Sequence, residues 1–93
     1  MIGHDGPDGA ERRDQHRAQH VAHLEALDRE GRIVLAGTPR NDNNDASVGA
    51  VIIFEADNLE DARDLVSSDP FVVGGVFESL TVAPFKPAYP KEP

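Results

Sequence analysis

The sequence predicts an α+β domain built on a split βαβ repeat, and three observations carry that prediction. The run from about Gly9 to Glu30 repeats its apolar residues at helical spacing. Val51-Ile52-Ile53-Phe54 is the strongest β-favouring run in the chain. A second helical stripe, formed by Leu59, Ala62, Leu65 and Val66, is followed by an alternating run from Val76 to Val82. With short strands before and after the first helix, the order is strand, helix, strand, strand, helix, strand. Two such halves close into a ferredoxin-like βαββαβ fold, a four-stranded antiparallel sheet with two helices on one face.

Each element has a local reason. Met1 to Asp5 offers only a strand stub, because Ile2 is its one substantial apolar side chain besides Met1. Gly6-Pro7 breaks the chain, and Asp8 is expected to cap the first helix together with Glu11, three residues on, with acid at the positive helix end. Gly31 ends that helix as its C′ residue. Ile33-Val34-Leu35-Ala36, bounded by Gly37, reads as a strand buried on both faces. Thr38 to Val48 is a polar turn or loop. In Val51 to Phe54, apolar side chains at odd and even positions predict that neither sheet face is left to water.

Asn58 is the expected cap of the second helix, which stops at Ser68-Asp69-Pro70 because proline disfavours helical geometry in the residue before it. Phe71 to Gly75 forms an apolar connector with the character of a helical turn. The last strand places Val76, Leu80 and Val82 on one side and Phe77, Ser79 and Thr81 on the other. Pro84, Pro87, Pro90 and Pro93 exclude regular helix or central strand from the tail. The expected division is a single domain over residues 1–86 and a proline-rich C-terminal tail over 87–93.

Composition narrows the function. Ninety-three residues suffice for one small core but leave much surface exposed in a lone chain, which favours self-association. Seventeen acidic residues against nine basic ones give a net charge of −8 with no basic run, so neither nucleic acid nor anionic membrane is expected as a partner. The absence of cysteine excludes disulfides, thiolate catalysis and thiolate-ligated zinc. No apolar run approaches the roughly 20 residues of a membrane span, and the first ten residues lack the pattern of a signal peptide. A cytoplasmic protein is expected.

The first helix carries three of the four histidines on the same face as its leucines. At about 100° per residue, with His20 at zero, His16 falls near −40°, His23 near −60°, Leu24 near +40° and Leu27 near −20°. A polar ring buried in such a stripe without a partner costs about 1–3 kcal/mol, so an acid should meet it. In the split βαβ topology the two helices run antiparallel, which brings the end of the second beside the start of the first. Asp69 should therefore approach His16 or His20, fixing the ring tautomer and aiming the other nitrogen at a substrate. His4 is expected to be exposed near the turn.

The same helix face bears on metals and anions. His16, His20 and His23 with Asp69 make a conceivable ligand set, but the i, i+4, i+7 spacing is not a strong zinc signature, so no metal is assigned. Arg13 and Arg17 lie near the histidine side and suit a carboxylate substrate, although arginines on a helix edge are commonly solvated or paired with local acids. Phe71 and Phe77 are core candidates that also suit the lining of a pocket. The sheet face away from the helices carries apolar groups from both middle strands, which predicts a homodimer burying sheet against sheet.

Three segments carry a family resemblance: Arg17-Ala18-Gln19-His20-Val21-Ala22-His23-Leu24; Glu30-Gly31-Arg32-Ile33-Val34-Leu35-Ala36-Gly37; and Asp69-Pro70-Phe71-Val72-Val73-Gly74-Gly75-Val76-Phe77-Glu78, followed by Val82-Ala83-Pro84-Phe85-Lys86. In this order they resemble the YciI-like, or YCII-related, family of small proteins with a dimeric α+β barrel fold. The resemblance implies a ferredoxin-like homodimer with a His and Asp active site, here His20 and Asp69. It also includes domains similar to chloromuconolactone dehalogenases. Two departures stand out: Met1-Ile2-Gly3-His4 is less apolar than the first strand of members, which suggests a truncated start, and Thr38 separates Gly37 from Pro39 at the pocket rim.

The functional expectation is a small-molecule enzyme using His20 as general acid or base, oriented by Asp69, in a lyase, isomerase or dehalogenase-like step that needs no redox cofactor. Arg17 is the expected anion anchor, with His16, His23 and Phe71 as flanking substrate contacts. The alternative is a non-catalytic small-ligand-binding or structural homodimer in which the pair completes a polar core.

Overall fold

The computed structural model describes residues 1–91, so the last two residues of the expected tail lie outside the described residues. The elements are β1 (Ile2–Asp5), α1 (Gly9–Arg29), β2 (Ile33–Gly37), β3 (Gly49–Phe54), α2 (Leu59–Ser67), α3 (Pro70–Val73) and β4 (Phe77–Thr81). The sheet order is β2-β3-β1-β4 with every neighbour antiparallel, which is the split βαβ arrangement.

The opening segment is far more than a stub at the margin. β1 lies in the centre of the sheet, paired with β3 on one side and β4 on the other. Its stability comes from ladder hydrogen bonds on both edges rather than from side-chain burial, and the Met1 ammonium adds a 2.9 Å bond to the carbonyl of Ile52. Gly3 is needed there, because a Cβ at this position would stand 2.8 Å from Cδ1 of Phe77, whose ring lies across the strand.

Helix starts follow local capping chemistry with one exception. Asn58 is extended and its side chain accepts the 2.8 Å bond from Asp61 N–H, and Asp69 caps α3 in the same manner through Phe71 N–H, with Pro70 at the first helical position. Asp8 corrects the expectation for α1: at φ −98°, ψ 15° its side chain makes no cap bond. A side-chain cap needs extended backbone at that residue, and Asp8 has none.

The core is formed by Leu27, Ala50, Ile52, Val66, Phe71 and Val76. Ala50 and Ile52 present one face of β3 to the helices, while Val51 and Ile53 on the other face are half-buried. Cross-strand pairing sets Ile2 beside Val51 and Leu35 beside Ile53 on that outer face, over which no described element lies.

Two strand expectations are corrected here. β2 is an edge strand, and Val34 and Leu35 are 61% and 62% exposed rather than buried on both faces. In β4 a register shift pairs His4 with Ser79 and Asp5 with Phe77, leaving Glu78 as an extra residue. This bulge returns Phe77 and Leu80 to the same side of the sheet, which simple alternation had separated.

Candidate functional site

The site lies where α1 crosses α3. Helical periodicity brings His20 to the inner face of α1, and the turn that ends α2 at Pro70 delivers Asp69 to the same place. Nδ1 of His20 is 3.0 Å from Oδ1 of Asp69, and the side chains are 12% and 4% exposed. The same Oδ1 accepts Phe71 N–H at 2.8 Å, so the cap of α3 and the histidine share one oxygen.

Burial pushes the Asp69 carboxyl upward. The hydrogen bonds from His20 and Phe71, with the charges of His20 and His23, outweigh that burial and hold the group below its ordinary value of 3.8. An ionised carboxylate only accepts, so the shared proton resides on Nδ1 of His20. In the neutral ring the lone pair then belongs to Nε2. This nitrogen has no partner among the described residues, where no buried side-chain nitrogen or oxygen goes unpaired, so Nε2 meets solvent.

Aromatic packing fixes the ring plane. His20 stacks on Phe71 with centroids 3.7 Å apart and planes 7° from parallel, and Phe71 meets Phe77 edge to face at 6.5 Å. The guanidinium carbon of Arg13 sits 5.1 Å from the Phe71 centroid and 5.8 Å from that of Phe77.

The sequence-predicted residues divide clearly. His20, Asp69 and Phe71 come together, with His23 half-buried and close enough for its charge to act on Asp69. His16 packs at the other end of α3, where a Cβ on Gly74 would overlap its ring. Arg17 points outward, its side chain 61% exposed and paired with Asp14 at 3.1 Å. His4 is exposed, as expected.

Sequence reasoning passed over one pair. Arg13 Nε and Nη2 bond both oxygens of Asp5 at 2.7 and 2.8 Å, and Nη2 also reaches the carbonyl of Gly49 at 2.6 Å. This joins α1, β1 and β3 beneath the aromatic cluster. A signal existed: Arg13 lies seven residues before His20, at about +20° in the histidine stripe.

Two shallow depressions of about 420 and 600 Å³ lie away from this site. The first is lined mainly by α2 and β4 and the second by Arg32, the loop from Glu55 to Asp57 and α2, and neither includes His20 or Asp69. Among the described residues no three His, Asp or Glu side chains converge as a metal-binding group. None of the described helices is long and apolar enough to cross a membrane.

Comparison with known proteins agrees with this architecture. The model of the YCII-related domain family matches residues 1–86. Protein YciI of Escherichia coli O6:H1 is 38% identical over 94 residues, covering 96% of both chains, and the Shigella flexneri protein of that name matches equally. An uncharacterized protein of Haemophilus influenzae is 34% identical over the same share. Among solved structures, 5-chloro-2-hydroxyhydroquinone dehydrochlorinase from Burkholderia phenoliruptrix AC1100, in complex with 2,5-dihydroxybenzoquinone, is similar with a TM-score of 0.78 and 26% identity, covering 92% of this chain and 94% of that one.

Proposed function

The chain belongs to the YCII-related family, and from that premise we propose that it is a small-molecule enzyme in which His20 moves protons and Asp69 orients it. The observation that carries this reading is the 3.0 Å contact between Nδ1 and Oδ1, which leaves Nε2 as the working nitrogen. The neutral ring takes a proton from a carbon or hydroxyl of the substrate at Nε2. The imidazolium so formed is stabilised by the ionised Asp69. In an isomerisation it returns the proton to another atom of the substrate. In an elimination the electron pair left on the substrate forms the new double bond as the leaving group, such as halide, departs with its bonding pair, and the proton passes to that group or to water. A lyase, isomerase or dehalogenase-like reaction fits this sequence of transfers, and the dehydrochlorinase activity named for the structural neighbour supports the last of these.

The working form is a cytoplasmic homodimer joined through the outer sheet face. Leu35 and Ile2 are exposed there beside Val51 and Ile53, an apolar surface that a second copy would remove from water.

One observation favours a second reading, that of a non-catalytic ligand-binding or structural dimer. Asp69 also caps α3, so the pair closes α1 onto α3 whether or not chemistry occurs. A screen of small metabolites by thermal stabilisation, repeated on His20→Ala, separates the two readings. A ligand that raises the Tm of the wild type and is converted only when His20 is present supports the enzyme. Ligands bound equally by the variant, with no conversion by either protein, support the binding module.

A further inference from the structure

We propose that His16 and Gly74 form a positioning pair for the His20 site: the His16 ring, seated on the bare α-carbon of Gly74, sets how closely α3 lies to α1 and so how Asp69 meets His20. This role rests on the reading of His20 as the proton-transfer group oriented by Asp69. Gly74 closes α3 at φ −76°, ψ −1°, ordinary helical backbone that any residue adopts, so nothing in its own conformation calls for glycine. Gly75, at φ 73°, does have a backbone reason. What excludes a side chain at Gly74 is His16. A Cβ there would stand 2.7 Å from Nε2 and 2.8 Å from Cγ of that ring, and nearer still to Cδ2, where carbon atoms in contact rest about 3.5–4.0 Å apart.

The seat lies on the same row of α1 as the site, because Arg12, His16 and His20 follow one another at four-residue steps. Arg12 donates from Nη1 to the carbonyl of Gly74 at 3.2 Å, His16 covers the α-carbon of that residue, and His20 meets Asp69 at 3.0 Å, so α1 grips the α3 turn at both ends. Between those ends the turn is stiff. The N–H groups of Val72 and Val73 donate to the carbonyl of Asp69, that of Gly74 to Pro70, that of Gly75 to Val72 and that of Val76 to Phe71, all within 2.8–3.2 Å. A displacement at Gly74 is therefore carried to Asp69 rather than absorbed. Phe71, whose ring stacks on His20 with centroids 3.7 Å apart, moves with it. Both groups that fix the imidazole thus ride on one block whose distance from α1 is set by His16 on Gly74. The overlap that a methyl at Gly74 would make with the ring exceeds the roughly 0.5 Å within which such constellations must be held.

The test follows the Nδ1 proton of His20 in the intact ¹⁵N-labelled protein. The wild type should show the Nδ1–H tautomer with slow solvent exchange. Gly74→Ala should speed that exchange about tenfold or more and raise the Nε2–H fraction, because the hydrogen bond to the ionised Asp69 is drawn apart. Adding His16→Ala removes the ring that the methyl meets, and the double variant should return the exchange toward the wild-type rate. Val73→Ala, at a position 73% exposed, should leave it unchanged. A Gly74→Ala protein that melts lower yet keeps the wild-type exchange overturns the inference, since the seat is then packing alone. A change that persists in the double variant overturns it as well. If Gly74→Ala does not fold, His16→Ala is compared with the double variant. Faster exchange in the former, slowed in the latter as the methyl refills the seat, upholds the pair, and equal rates overturn it. None of these results touches the reading of His20, which falls together with the pair if the wild-type ring is protonated on Nε2.

Discussion

One carboxylate oxygen of Asp69 serves two elements at once, accepting the Nδ1 proton of His20 at 3.0 Å and the backbone N–H of Phe71 at 2.8 Å. The link between α1 and α3 and the orientation of the imidazole therefore depend on the same ionised group.

Stability should report this dependence through pH. The Asp69 carboxyl is lowered in the folded chain, so the unfolded chain binds that proton first as acid is added. The contribution is complete above the ordinary value of 3.8 and is lost as pH falls through the lowered one. Asp69→Asn should cost about 1–3 kcal/mol near neutral pH. In urea unfolding the gap between variant and wild type should close in acid, and a gap of unchanged size there would contradict the assignment.

The Arg13–Asp5 pair is buried on both sides, with side chains 7% and 10% exposed. Arg13→Met strands the Asp5 carboxylate and should cost about 3–5 kcal/mol. The double variant with Asp5→Asn should recover part of that loss. A double-mutant cycle measured by urea unfolding gives the coupling, and strictly additive losses would show that the pair acts as two independent groups.

Gly3→Ala places a methyl 2.8 Å from Phe77 Cδ1, against a ring wedged between Phe71 and the sheet. The expected loss is about 1–3 kcal/mol. Gly37→Ala, whose Cβ would meet nothing within 4 Å, should stay within about 0.5 kcal/mol when both variants are compared with the wild type by thermal unfolding. Equal losses at both sites would contradict the packing described.

Light scattering at micromolar concentration should give twice the 10.1 kDa mass of one chain for the wild type. Leu35→Glu puts a charge on the outer sheet face and should return the mass of a single chain. A wild type that is already monomeric removes the sheet-to-sheet dimer.

What could be read in the sequence divides along physical lines. The histidine stripe of α1 and the stop at Pro70 are local, and antiparallel helix topology then carries Asp69 to that stripe, with His16 and His20 both in range and the family resemblance favouring His20. The Arg13–Asp5 pair needs β1 in the centre of the sheet, and Met1-Ile2-Gly3-His4 does not declare that, because ladder bonds on both edges hold it. Likewise the apolar run of β2 marks a strand but does not declare that it lies at an edge with Val34 and Leu35 exposed. The side that Phe77 takes depends on one unpaired residue, Glu78, which periodicity cannot locate.

The position of the proton on the neutral His20 ring, read by long-range ¹H–¹⁵N correlation, tests the His20–Asp69 pair as a base and its orienting acid. The Nδ1–H tautomer is expected in the wild type, held by Asp69, with Nε2 unprotonated and available as the base. In Asp69→Asn the population should move toward Nε2–H. A wild-type ring protonated on Nε2, with the same spectrum in the variant, would contradict it.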